Sequence, residues 1–416
     1  MIVKTAAGIR SIVPLMPLGG SGAKLMPYTC KVDRGSPYVE DERSVPTADG
    51  KGTRDVKCVS LNSKQAEANR FETAIIESVR SKDIDGLPYI ALSLASAPES
   101  YKNAYALPGL ITSLELPHRA ADGWFRTALL GGKPFNQTPV YDALAKMTKH
   151  SLLPMFVQDP VSLVFGSWFS GSGVGGAKNG RIICSTITGI NVKDSKEASS
   201  RVDPLIRKGG MVARNKTTGE LRLLDKENGE KPGSDEKAVK LSVINVGGIP
   251  AATVDQHGKS VNPGVFVEYA LQETHVSVQA LRNMFFGQAD ATACRAYLFL
   301  LAMAGAVLSR SQGYRLRSWC DLVPYGEDKR WTWQVVAMDG TVSTVVLHPD
   351  KIISLLAEAA KNCERKGIAF SAPLILEPTD RFHKALLVRE DLFAARSDNS
   401  DEDNEGSEDD SSEPSE

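Results

Sequence analysis

The chain has 416 residues, 42% of them hydrophobic and 24% charged, with a formal net charge of −1. That apolar share is enough for a large packed core and excludes a wholly disordered chain. The longest apolar run, residues 296–308, falls short of the ~20 residues that span a bilayer, so it reads as a core helix and no membrane partner is expected.

The near-zero charge hides an asymmetry. Ten of the 50 acidic residues fall in the last twenty positions, which hold no basic residue, so positions 1–396 carry 49 basic against 40 acidic side chains. A basic body suits a polyanionic partner, although such an imbalance also serves solubility alone. Residues 1–10 lack a charged cluster followed by an apolar stretch, so no secretion signal is expected. The six cysteines contain no CxxC pair. Neither a zinc ribbon nor a disulfide framework is therefore expected, and reduced thiols in a cytoplasm are the simplest reading.

Taken in chain order, the first 56 residues read as loop-rich, because Pro14, Pro17, Pro27, Pro37 and Pro46 interrupt them. Residues 58–61 suggest a short strand, and Ser63 can cap a helix running to about Arg80, with Phe71, Ile75 and Val79 on one face. Residues 87–94 and 161–169 are apolar runs of strand length, and 181–192, rich in Ile and Thr, again reads as extended. Between 193 and 240 lies a polar stretch with glycine turn signals, expected to form an exposed hairpin-like insertion. Beyond it, alternating Val265, Val267, Tyr269 and Leu271 mark a strand. Asp290 caps a helix to about Arg310, with Gly313 just past its end. Residues 331–338 and 341–347 flank Asp339-Gly340, a strong hairpin signal. A helix over 350–366, stopped by Gly367, and a strand within 368–376 complete the order β-α-β-β-α-β. That order is the ferredoxin-like arrangement of RRM-type folds, so the class is α+β. Residues 1–396 are read as one domain carrying the 193–240 insertion, and 397–416 as an acidic tail too polar to build a core.

Catalytic constellations are not legible. Gly171, Gly173 and Gly176 fit GxGxxG, but Ala177, Lys178, Asn179 and Gly180 lead into a β-prone run, not into the helix whose amides would face a pyrophosphate. The P-loop's Lys-Ser/Thr after the last glycine is missing as well. The six histidines show no HxxxH or HxH spacing, so neither a metal nor a cofactor is expected. More informative is the stretch from Ser309 to Trp319, where Arg310, Arg315 and Arg317 alternate with Tyr314 and Trp319. Cations meet phosphates while flat rings stack on unpaired bases, although an ordinary edge strand would look the same. Trp331 and Trp333 share one strand face and read first as core, and Arg70 can simply pair with Glu67 one helical turn away.

Five blocks then resemble one family. Gln65, Ala68, Asn69, Arg70, Phe71 and Glu72 are similar to the Q-x-x-A-N-R-[LF]-E signature of the CRISPR-associated RAMP backbone protein of type I-G (formerly I-U) systems. Thr112, Ser113, Glu115, His118 and Arg119 are similar to its T-S-x-x-E-x-H-R element. Leu163, Phe165, Gly166, Trp168 and Ser170, then Gly173, Lys178, Arg181 and Ser185, resemble a third block. Residues 201–205 and 313–318 echo two more, and the likeness spans roughly 57–395, weakening before residue 57.

The resemblance implies an RRM-like palm with inserted finger and thumb elements, and no catalysis. Copies would pack head to tail along a guide RNA (crRNA) in a Cascade complex, beside other Cascade subunits, presenting the guide to target DNA in a cytoplasm. It implies phosphate contacts from Arg70, Arg119, Lys178, Arg181, Arg315 and Arg317, hydrogen bonds to sugar or phosphate from Asn69 and His118, and stacking or packing by Trp168. Two other readings stay open: a nucleotide-cofactor enzyme using the loop at 171–176, and a stand-alone single-stranded RNA-binding protein.

Overall fold

The computed structural model describes residues 5–30, 37–47, 51–95, 109–169, 178–195, 211–224, 229–239, 244, 253–254, 260–261 and 264–382. The glycine loop at 171–176, the block at 201–205 and the acidic tail lie outside the described residues. The chain forms two compact units, one of residues 1–194 with 264–383, the other of 195–263 with 384–416.

The elements used below are, in chain order, β1 (Ala6–Pro17), β2 (Glu40–Pro46), β3 (Thr53–Asn62), α1 (Lys64–Arg80), β4 (Ile90–Ser93), β5 (Leu110–Thr112), α2 (Pro160–Phe165), β6 (Ser167–Trp168), β7 (Lys178–Asn179) and β8 (Ile183–Ile190). After them come β9 (Met211–Asn215), β10 (Leu221–Leu224), β11 (Glu236–Val239), β12 (Tyr269–Ser277), α3 (Ala291–Ser311), β13 (Tyr314–Arg317), β14 (Cys320–Pro324), β15 (Thr332–Ala337), β16 (Val342–Val346), α4 (Pro349–Arg365) and β17 (Leu374–Leu376).

In the first unit a nine-stranded antiparallel sheet runs β13-β14-β1-β12-β8-β3-β2, and β15, carrying β16, shares the edge of β1 with β14. Its centre is β1, β12 and β8, with α1 and α3 packed on it and on each other. The close approach of the two helices depends on Gly305, where a Cβ would stand 3.1 Å from both Phe71 Cβ and Ile75 Cδ1. The α+β, RRM-like class expected from the sequence is the observed one. The ferredoxin-like motif, however, is not built from residues 265–376. It spans the unit: β1, α1, β8, β12, α3, then β14 and β15 returning to the far edge of β1. The final strand, β17, instead pairs in parallel with β4 in a separate three-stranded sheet with β5.

Two further expectations are corrected. The proline-rich N-terminus supplies β1, the middle of the sheet. Pro14 is tolerated there because its carbonyl accepts from Tyr325 N–H, so its missing donor faces the edge shared by β14 and β15, between the ladders at Arg10 and Leu15. Residues 160–165 form a helix where a strand was expected: Asp159 caps it by accepting from Ser162 N–H at 3.2 Å, Pro160 stands in its first turn, and Gly166 at φ +93° ends it. By contrast, Ser63 and Asp290 cap α1 and α3 as their positions suggest. α3 is long and apolar enough to cross a membrane, yet most of it is buried in the protein core. In the second unit β9 and β10 form a hairpin, and β11 adds a third strand in the order β10-β9-β11.

Across β1, β12 and β8 the register sets Ser11, Thr274 and Ser185 side by side on the helix-facing side, with Gln272 one step along. Four small or amide side chains therefore stand where the sheet meets α1 and α3. Glu67 of α1, fully buried, accepts from Asn62 Nδ2 (2.7 Å), Arg70 (2.7 Å), Ser185 Oγ (2.8 Å) and Gln272 Nε2 (2.7 Å). Arg310 of α3, also fully buried, donates to Gln272 Oε1, Thr274 Oγ1, Ser11 Oγ and the Arg330 carbonyl, and its guanidinium lies 4.5 Å from the centre of the Trp333 ring. Burial lowers the pKa of Arg310 to about 10, and the guanidinium stays charged at neutral pH. The sheet, α1 and α3 are thus joined by one buried hydrogen-bonded network as well as by apolar contacts.

Candidate nucleic-acid interface

An open cleft of about 260 Å³ lies between residues 117–119, the end of α2 and the β6–β7 ladder. It gathers five of the nine sequence-predicted site residues: His118, Arg119, Trp168, Lys178 and Arg181. Among the described residues, no aspartate or glutamate lines it. These residues are up to 63 positions apart in sequence, and the fold brings them together by a set of backbone anchors. Arg119 Nη1 donates to the Gly166 carbonyl at 3.1 Å, and Arg181 donates from Nε to the Phe165 carbonyl (3.1 Å) and from Nη1 to the Lys64 carbonyl (3.2 Å). Gly166 is required at the crossing: at φ +93°, a Cβ there would meet the Asn179 carbonyl at 3.1 Å.

Trp168 pairs with Lys178 across β6 and β7, which puts both side chains on one face. The Lys178 ammonium stands 4.7 Å from the centre of the indole, which remains 55% exposed. His118 is exposed, and its backbone N–H donates to Asp122 at 3.3 Å. Arg119 differs from both. It is buried, holds the left-handed φ of +52°, and forms a two-armed ion pair with Glu72, its Nη2 donating at 2.8 Å. Burial pushes the Glu72 carboxyl above its ordinary range against the pull of Arg119, and burial with Arg119 nearby pushes Arg181 below its own.

The remaining four sit elsewhere on the first unit. Arg70 spans Glu67 and the Gly313 carbonyl, both at 2.7 Å, with its guanidinium over Tyr314. Arg317 donates to the Leu61 carbonyl at 2.8 Å. Asn69 is exposed on α1, and the Arg315 side chain is 80% exposed with one long contact, 3.9 Å, to Asp321. The guanidinium groups of Arg70, Arg119 and Arg317 are therefore engaged within the protein, whereas Asn69, His118, Lys178 and Arg315 face solvent.

Sequence reasoning saw the Arg70–Glu67 pair, which is present at 2.7 Å, but missed that Glu67, Glu72 and Asp159 are buried behind the site. The available signal was acidic residues on the apolar face of a helix, at positions 67 and 72 flanking Ala68 and Phe71. Asp159 is wholly buried, and burial raises its pKa to about 6, partly offset by the Ser162 N–H and Arg119. Its cost is absent below pH ~4, grows as the pH rises through the native value, and is complete above it. Asp159→Asn, which keeps a good cap, is expected to be the more stable protein at pH 8 by about 3 kcal/mol, with the difference vanishing near pH 4. Urea unfolding at both pH values checks this, and an Asn variant less stable at pH 8 would contradict it.

Residues 9–194, just under half of the chain, match the family model described as CRISPR-associated protein GSU0053 (Cas_GSU0053). The match begins well before residue 57, takes in most of β1 and the described residues of the cleft, and leaves Arg315 and Arg317 outside. No curated protein matches the chain. The chain is thus similar, over the segment that builds the cleft, to a CRISPR-associated protein family.

Proposed function

We propose that this protein is a non-catalytic backbone subunit that binds guide RNA in a type I CRISPR surveillance complex of the I-G kind. Several copies line up head to tail on one crRNA, beside other Cascade subunits, and base pairing through the guide reads the target DNA. The observation that carries this reading is the cleft, with no acidic residue among its described lining, where an exposed tryptophan and a histidine meet Lys178 and Arg181 while Arg119 anchors the turn from behind. Cations beside an open aromatic ring suit the phosphates and unstacked bases of a single strand. The family match agrees with a place in CRISPR defence.

Lys178 is the cleanest probe, being exposed and free of the buried pairs that engage Arg119. Lys178→Ala is expected to weaken binding of fluorescein-labelled single-stranded RNA equally for all sequences. The slope of log affinity against log salt should fall by about 0.7, the value for one phosphate on a single strand. Anisotropy titrations at several salt concentrations read both quantities. An unchanged slope, or a loss confined to some sequences, would count against the proposal.

A further inference from the structure

We infer that Trp319 is a second stacking platform for an unpaired nucleobase, placed so that a strand held at the Trp168 cleft can continue onto it. This inference rests on the RNA-binding reading above.

Trp319 sits in the two-residue turn of the β13–β14 hairpin, closed by the Arg317–Cys320 pair. Its φ is +60°, a conformation in which a bulky side chain is disfavoured and which glycine or asparagine would adopt more readily. The backbone is clamped by Met26 N–H donating to the Trp319 carbonyl at 2.9 Å, yet the side chain is 64% exposed. An indole held out by a strained, clamped turn calls for a functional explanation. The Lys24 ammonium stands 5.0 Å from the ring centre, and exposed Arg315 belongs to the same hairpin. Trp319 with Lys24 thus repeats the pairing of Trp168 with Lys178.

Position ties the two together. Arg317, at the foot of this hairpin, donates to the Leu61 carbonyl, and Arg181, in the cleft, donates to the Lys64 carbonyl. Those carbonyls are three residues apart, no more than about 11 Å along the chain. The hairpin bearing Trp319 and the cleft bearing Trp168 are thus both anchored near the start of α1, whose dipole favours an anion there. Trp and Arg also occur at protein–protein interfaces, but the lysine ammonium beside the exposed ring is depleted there and suits single-stranded nucleic acid, which favours a base over a second protein.

The test uses the full chain and a short fluorescein-labelled single-stranded RNA of mixed sequence, with the same RNA annealed to its complement as the comparison. Trp319→Gly removes the indole while relieving the positive φ, so loss of folding does not obscure the result. It is expected to weaken single-strand binding about 5- to 100-fold, leave duplex binding and the salt slope unchanged, and be largely rescued in Trp319→Phe. Wild-type affinity in Trp319→Gly, with Lys178→Ala still impaired, would overturn the platform and leave the cleft reading standing. A change in oligomeric state at unchanged RNA affinity would reassign the surface to protein contact and overturn it too. A wild-type chain that binds no RNA would remove both readings together.

Discussion

Glu72→Ala is expected to cost about 3–5 kcal/mol of unfolding free energy, the range for removing one partner of a buried ion pair. The Arg119 side chain is only 7% exposed and spends Nε and Nη2 on Glu72. Without the carboxylate it is a buried, uncompensated cation. Its third donor holds the Gly166 carbonyl, so the turn that carries Trp168 loosens with it. Urea unfolding should show the loss, and the double variant Glu72→Leu with Arg119→Met should recover most of it, because an apolar pair of similar volume carries no desolvation penalty. A single-variant loss under about 1 kcal/mol would contradict the account of the pair.

Glu67→Ala is expected to be at least as damaging, about 4 kcal/mol, because it strands donors from four residues at once: Asn62, Arg70, Ser185 and Gln272. Burial alone would raise the Glu67 carboxyl, but Arg70 and the three neutral donors hold it below the usual range. A lowered native pKa means its contribution is present above the ordinary glutamate value and is lost as the pH falls through the native one. The gap between wild type and Glu67→Ala should therefore be full at pH 7 and narrow in acid. Unfolding curves at neutral pH and near pH 3 test both parts, and a gap that widened in acid would contradict them. The variant also frees Arg70 from the network that ties α1 to Gly313, so the hairpin bearing Arg315 and Trp319 should exchange amide hydrogens faster.

What could be read from the sequence was local. Ser63, Asp290 and Gly367 punctuate helices by their own chemistry, and Asp339-Gly340 closes a hairpin without outside help. Long-range pairing was not legible. Strand β1 carries prolines that look like breakers, and only its neighbours reveal that the missing Pro14 donor faces a gap between two ladders. Residues 161–165 were ambiguous because a short apolar run suits a strand or a buried helix, and the Asp159-Pro160 start was the signal that decided it. The cleft residues were named from motif positions, and five of them do converge. Which of their charges are spent internally depends on Glu67 and Glu72, whose burial becomes visible only once α1 is laid on the sheet.

The central claim is that this chain holds a guide RNA, and RNA recovered with the tagged full-length protein expressed alongside its natural neighbours tests it most directly. The account predicts RNAs of uniform length carrying a CRISPR repeat, with several copies of this protein on each. A monomer free of nucleic acid, or one carrying RNA of random length and origin, would contradict it.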